Sequence, residues 1–220
     1  MKRVAPYLLI FCALSLVPLN AGDEWVLVKE SDGIRSFRNT SPEPGPISWK
    51  AEGDVDAPLE ALRELVLDFP AAPQWHWQCR ECRLIRHDTG RRNFVFYFAI
   101  QGEWPMAPRD YVAYLRVVPS PKDEFNCEIR AFRNSSEEIV PLKSDHVRMT
   151  GVKASIRLTR IDQAKTRVEY TYASDPAGKV PLFLVGRVFA QIPFMSIKGM
   201  RDLMAGTGRY HGPAGALGEP

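Results

Sequence analysis

Residues 182–204 read LFLVGRVFAQIPFMSIKGMRDLM, and the folding of this stretch decides the class of the whole chain. Leu182, Val185, Phe189, Ile192, Ser196, Gly199 and Leu203 recur at three- and four-residue spacing, which makes one stripe of an amphipathic helix. Pro181 stands at its start, where a backbone N–H would lack an intrahelical partner anyway. Pro193 removes an interior hydrogen bond and crowds the carbonyl four residues earlier. The spacing therefore predicts one long helix over 181–204, bent at Pro193. Such a helix must bury its stripe against another layer.

Upstream, the apolar period falls to two. Phe94, Phe96 and Phe98 share one parity of the run 92–100, and Tyr111, Ala113 and Leu115 share one parity of 111–118. Phe125, Cys127 and Ile129 alternate with Asn126, Glu128 and Arg130. Val152, Ala154 and Ile156 alternate with Lys153, Ser155 and Arg157, and Val168, Tyr170 and Tyr172 with Arg167, Glu169 and Thr171. Each run reads as a half-buried strand. Asp88-Thr89-Gly90 signals a turn between strands at 81–87 and 92–100. Further strands are expected at 25–29, 34–38 and 47–55, the first two joined by Ser31-Asp32-Gly33.

Strands that follow one another without helices imply an antiparallel sheet. One helix interrupts them. Asp56 is placed to cap it, Leu62, Leu65, Val66 and Phe69 share its apolar face, and Pro70 and Pro73 end it. A curved antiparallel β-sheet holding a long C-terminal α-helix is an α+β, helix-grip arrangement.

Composition agrees with a single domain. The chain has 220 residues, 45% hydrophobic and 25% charged, which excludes wholesale disorder, and no periodic repeat suggests a solenoid. At the N-terminus Lys2 and Arg3 precede the uncharged run Tyr7–Val17, then Pro18 and the small Ala21. A run of that length spans about 16 Å as a helix, half a bilayer core. Residues 1–21 are expected to be a signal peptide, 22–205 the folded domain, and 206–220, rich in glycine, a flexible tail. Export makes the protein a secreted one. Losing Lys2 and Arg3 lowers the formal charge from +3 to +1, so net basicity says little about partners. Losing Cys12 leaves Cys79, Cys82 and Cys127, an odd number that cannot form a complete disulfide framework.

Other groupings carry weaker signals. His76-x2-Cys79-x2-Cys82-x4-His87 has the residue types for zinc, but its second half enters a strand, where side chains diverge, so no metal is expected. Cys79 and Cys82 could bridge or remain buried thiols. Arg109-Asp110 reads as an ion pair at a strand entry. Arg80, Arg83, Arg86, Arg91 and Arg92 form a local basic cluster. Arg91 and Arg92 are its candidates for transient contact with anionic membrane headgroups, and export argues against nucleic acid.

Trp75 after the first helix, Pro105-Met106-Ala107-Pro108-Arg109-Asp110-Tyr111-Val112 at a strand entry, Asp175-Pro176-Ala177-Gly178-Lys179-Val180-Pro181 before the last helix, and Pro193 within it occur in an informative order. With these markers, residues 25–204 resemble the START domain, the lipid-transfer family of the steroidogenic acute regulatory protein. The resemblance implies an internal hydrophobic cavity between sheet and C-terminal helix that holds one lipid or sterol-like molecule, with no cofactor and no chemistry. It supports a wall of Phe94, Phe96, Phe98, Tyr111, Ala113 and Leu115, because family members touch ligands from positions matching Phe98 and Tyr111. Cys127, Ile129, Ala154, Ile156 and Tyr170 extend that wall, and Val185, Phe189 and Ile192 roof it. The same side chains would also suit a dry core.

The sequence departs from the family at the head-group end. Some sterol-binding members carry a charged pair at positions that are Phe96 and Leu115 here, and phosphatidylcholine-binding members carry arginine and aspartate at those of Ala72 and His76. The implied ligand is weakly polar. The reading is a monomeric lipid carrier, in a bacterial periplasm since a signal peptide precedes a bare START domain. The alternative is a helix-grip enzyme, such as a cyclase or hydrolase, acting on a hydrophobic substrate.

Overall fold

The computed structural model describes residues 25–40, 46–88, 90, 92–102, 106–134, 136–178, 180 and 182–207, with the side chains of 182–185 excepted. The expected signal segment, Arg91 and the tail beyond Thr207 lie outside the described residues, as does the Val185 side chain.

Among the described residues, ten strands form one sheet: β1 (Trp25–Ser31), β2 (Ile34–Asn39), β3 (Ser48–Val55), β4 (Cys79–His87), β5 (Asn93–Ile100), β6 (Arg109–Val118), β7 (Glu124–Ala131), β8 (Val147–Arg148), β9 (Lys153–Arg160) and β10 (Thr166–Ala173). Their order is β1-β2-β3-β10-β9-β7-β6-β5-β4, antiparallel throughout, with β8 alone pairing parallel to β6. The alternating sequence is expressed directly in β3, whose residues are buried and half-buried in strict turn.

The chain leaves β3 in the middle of the sheet and re-enters at the edge strand β4. The crossing segment is α1 (Leu59–Leu67), a 3-10 turn (Phe69–Ala71) and α2 (Ala72–Trp75). Leu62, Leu65 and Phe69 bury the face that their spacing predicts. Asp56 does not cap α1. Pro58 precedes the helix without a side-chain cap, and the exposed Asp56 faces Lys165 at 3.4 Å.

The C-terminal stretch is two helices, α4 (Leu182–Phe189) and α5 (Gln191–Thr207). The break is a consequence of Pro193, although it falls before that residue. The carbonyl four positions earlier belongs to Phe189, where α4 stops, and Pro193 then occupies the first turn of α5, where N–H groups have no helical partner. The helix continues past the expected boundary at 205 to Thr207. Ile192, Ile197, Met200 and Met204 bury its inner face, and α5 packs chiefly on β3, β2, β10 and α2.

The far face of β5 and β6 is buried too. Tyr97, Ala99 and Val112 pack with Val140 under the segment carrying α3 (Ser136–Ile139) and β8. Here Asp110 pairs with Arg148, at 2.7 and 3.1 Å, and accepts from the Tyr97 hydroxyl at 3.0 Å. The expected Arg109–Asp110 pair is therefore replaced. Neighbouring strand residues point to opposite faces, so Arg109 turns away and donates to the carbonyls of Ala107 and Pro176 at 2.5 and 3.1 Å.

Candidate functional site

The concave face of the sheet and the α1–α2 segment enclose a cavity of about 40 Å³. Phe96 and Phe98 (β5), Tyr111 and Leu115 (β6), Ile129 (β7), Ala154 and Ile156 (β9) and Tyr170 (β10) line it, all from the expected wall. Phe94, Ala113 and Cys127 are buried in the adjoining core and do not reach the cavity. Phe94 instead packs on Phe69, ring centroids 5.6 Å apart.

The roof differs from expectation. Phe189 and Ile192 are buried, but α5 lies over β2, β3 and β10, and Phe189 meets Tyr172 edge-on. Val66, Phe69, Ala72, Trp75 and His76 of the α1–α2 crossing close the cavity, with Cys82 at its rim. The helix was legible; its position over the wall follows from the β3-to-β4 crossing, which sequence periodicity does not encode.

His76 is the polar centre of this roof. Its Nδ1 lies 3.0 Å from the Trp77 carbonyl and its Nε2 lies 2.8 Å from the Tyr170 hydroxyl. A carbonyl only accepts, so Nδ1 carries the proton and the Tyr170 O–H donates to Nε2. Burial pushes the His76 pKa down to about 4, so the ring is neutral at neutral pH. Burial likewise raises the hydroxyls of Tyr111 and Tyr170 well above the ordinary tyrosine value and lifts the Cys82 thiol. Among the described residues, no lysine, arginine, aspartate or glutamate lines the cavity.

Two contacts fasten the roof to α5. The Trp77 amide donates to Ser196 Oγ at 3.2 Å, and Gly199 passes so close that a Cβ there would stand 2.2 Å from the Trp75 carbonyl oxygen. Outside, Trp75 and His76 also border a surface cleft of about 500 Å³ between α2 and α5.

Cys79, Cys82 and Cys127 are unbridged in the structure. A bulge at Arg80 sets Cys79 and Cys82 opposite Ile100 and Phe98, on one face. Burial pushes Cys79 and Cys127 up to about 12. Among the described residues no three His, Cys, Asp or Glu side chains converge as a metal site. Arg80, Arg83, Arg86 and Arg92 are exposed along edge strand β4 and its turn, with Arg83 paired to Glu81 at 3.3 Å.

A family model described as START domain matches residues 11–207. The chain belongs to the START domain family. Human phosphatidylcholine transfer protein is 25% identical over 180 residues, which cover 79% of this chain and 80% of that protein. An uncharacterized protein of Pseudomonas aeruginosa is 22% identical over 180 residues, 82% of this chain and 86% of its own length. Among solved structures, a STAR-related lipid transfer protein from Xanthomonas axonopodis superposes with a TM-score of 0.73 at 20% identity, over 83% of this chain and 99% of that one. Human StAR-related lipid transfer protein 5 gives 0.71 at 16% identity, over 81% and 85%. The START fold of this chain is the helix-grip fold, and among the described residues the α1–α2 crossing closes the cavity.

Proposed function

We propose that this START domain binds one lipid or other hydrophobic molecule in the cavity under α1–α2 and carries it between membranes. The observation that carries the reading is the apolar wall around a few neutral polar groups, with the His76–Tyr170 pair among them. The relatives named as lipid transfer proteins support the same class of ligand.

A space of about 40 Å³ has room for only a few water molecules, whereas small-molecule pockets run to roughly 300–1,000 Å³. Loading therefore requires the roof to move, and the contacts of Trp75 and Trp77 with α5 are where it must part. We place this work after export, in the periplasm, with the exposed arginines Arg80, Arg86 and Arg92 touching anionic headgroups transiently.

The enzyme alternative gains one observation, the convergence of His76 and Tyr170. It is opposed by their acidities. Burial makes His76 a weaker base and Tyr170 a weaker acid, so the proton stays on tyrosine. The test is fluorescent-lipid transfer between donor and acceptor vesicles. Transfer proportional to protein concentration is expected; no lipid uptake, with turnover of a hydrophobic substrate instead, would overturn the reading.

A further inference from the structure

The inference concerns the ligand's chemistry and rests on the lipid-binding reading. The Tyr170 hydroxyl spends its one O–H on a hydrogen bond to His76 Nε2, since Nδ1 donates to the Trp77 carbonyl. What Tyr170 keeps for the cavity is acceptor capacity alone. Trp75 also stands beside His76, their ring centroids 5.5 Å apart, and the His76 and Tyr170 rings are separated by 5.8 Å. Trp75 is 6% exposed and lines the cavity, yet its indole Nε1 is buried without a hydrogen-bond partner. A buried donor left unpaired costs free energy, and a ligand acceptor would relieve it.

We infer that Trp75, His76 and Tyr170 form a head-group reader for an uncharged lipid bearing a hydroxyl or amide, whose proton goes to Tyr170 Oη and whose oxygen faces Trp75 Nε1. Among the described residues, the cavity wall offers no counter-ion to a phosphate or an ammonium group. A charge brought beneath α2 would thus lose its water without gaining a partner. His76 fixes the polarity of the site, because any partner taking its Nδ1 proton leaves Nε2 to accept from tyrosine. It acts through Tyr170 and is a positioning residue.

The reader is tested with three lipids of identical acyl chains, offered together in mixed vesicles to the mature chain and counted by native mass spectrometry. They are 1,2-diacylglycerol, its 3-O-methyl ether, and phosphatidylcholine. The expected retention favours diacylglycerol over the ether by about threefold to tenfold, the worth of one neutral hydrogen bond. Phosphatidylcholine is expected to trail diacylglycerol by more than about tenfold. Tyr170→Phe should erase the preference for the free hydroxyl over the ether, in a variant whose thermal unfolding shows it folded. Equal retention of all three lipids by the wild type overturns the inference and leaves lipid binding standing, with no variant needed. Retention of none overturns the lipid-binding reading itself.

Discussion

Gly199→Ala tests how the roof is held. The added Cβ would sit 2.2 Å from the Trp75 carbonyl oxygen and 2.9 Å from its carbonyl carbon, both backbone atoms that cannot rotate away. Relief requires α5 to retreat from α2 by about 1 Å, which is overpacking of a kind that costs about 1–3 kcal/mol. The same retreat stretches the 3.2 Å bond from the Trp77 amide to Ser196 Oγ, worth about 1 kcal/mol net. Against this, alanine gains about 1 kcal/mol over glycine inside a helix. The balance is a loss of about 1–3 kcal/mol. Gly186→Ala in α4 supplies the control, since a Cβ there meets nothing within 4 Å and should add up to about 1 kcal/mol. Urea unfolding of both variants beside the wild type reads the difference, and Gly199→Ala should also exchange lipid faster. Equal stability for the two alanine variants would refute the close approach and the roof built upon it.

Three other outcomes are expected. Arg148→Met leaves Asp110, 1% exposed, as an uncompensated buried charge apart from its Tyr97 bond, so denaturant unfolding should show a loss of about 3–5 kcal/mol; a neutral result would mean the pair is solvated. His76, lowered from 6.5 to about 4 when folded, makes stability depend on pH: the unfolded chain takes a proton that the folded ring refuses. Its contribution is full above pH 6.5 and falls by about 3 kcal/mol as pH drops to about 4, so the wild-type stability should converge downward on that of His76→Asn over this window in urea titrations. Parallel curves would contradict the burial. Finally, the buried thiols of Cys82 and Cys127 should react with Ellman's reagent at pH 8 only as fast as the protein unfolds, and rapid labelling of either in the folded state would show the wall to be open.

The parts of this protein legible in its sequence are those written as periodicity. The period-two runs around Phe96, Tyr111 and Ile156 located the strands and the inward face, because that face is apolar and the other mostly polar. The same reasoning missed that Tyr97 and Ala99 are also buried. Their cover is a short helix and a two-residue strand, too brief to show a period. Pro193 announced a break, and its steric action on the carbonyl of Phe189 moved that break upstream. The roof was mislocated because amphipathicity tells a helix to bury a stripe without saying against what. His76 looked like one member of a loose metal pattern. Its partner Tyr170 lies 94 positions away, a distance that only the β10 register closes.

The proposed function requires that the space under α1–α2 open to hold a lipid. Purifying the protein from its source organism under non-denaturing conditions, then weighing it by native mass spectrometry before and after organic extraction, tests this directly. One lipid equivalent per chain, uncharged and lost on extraction, is the predicted result. A bare mass before extraction, with no mass gained on incubation with vesicles, would contradict it.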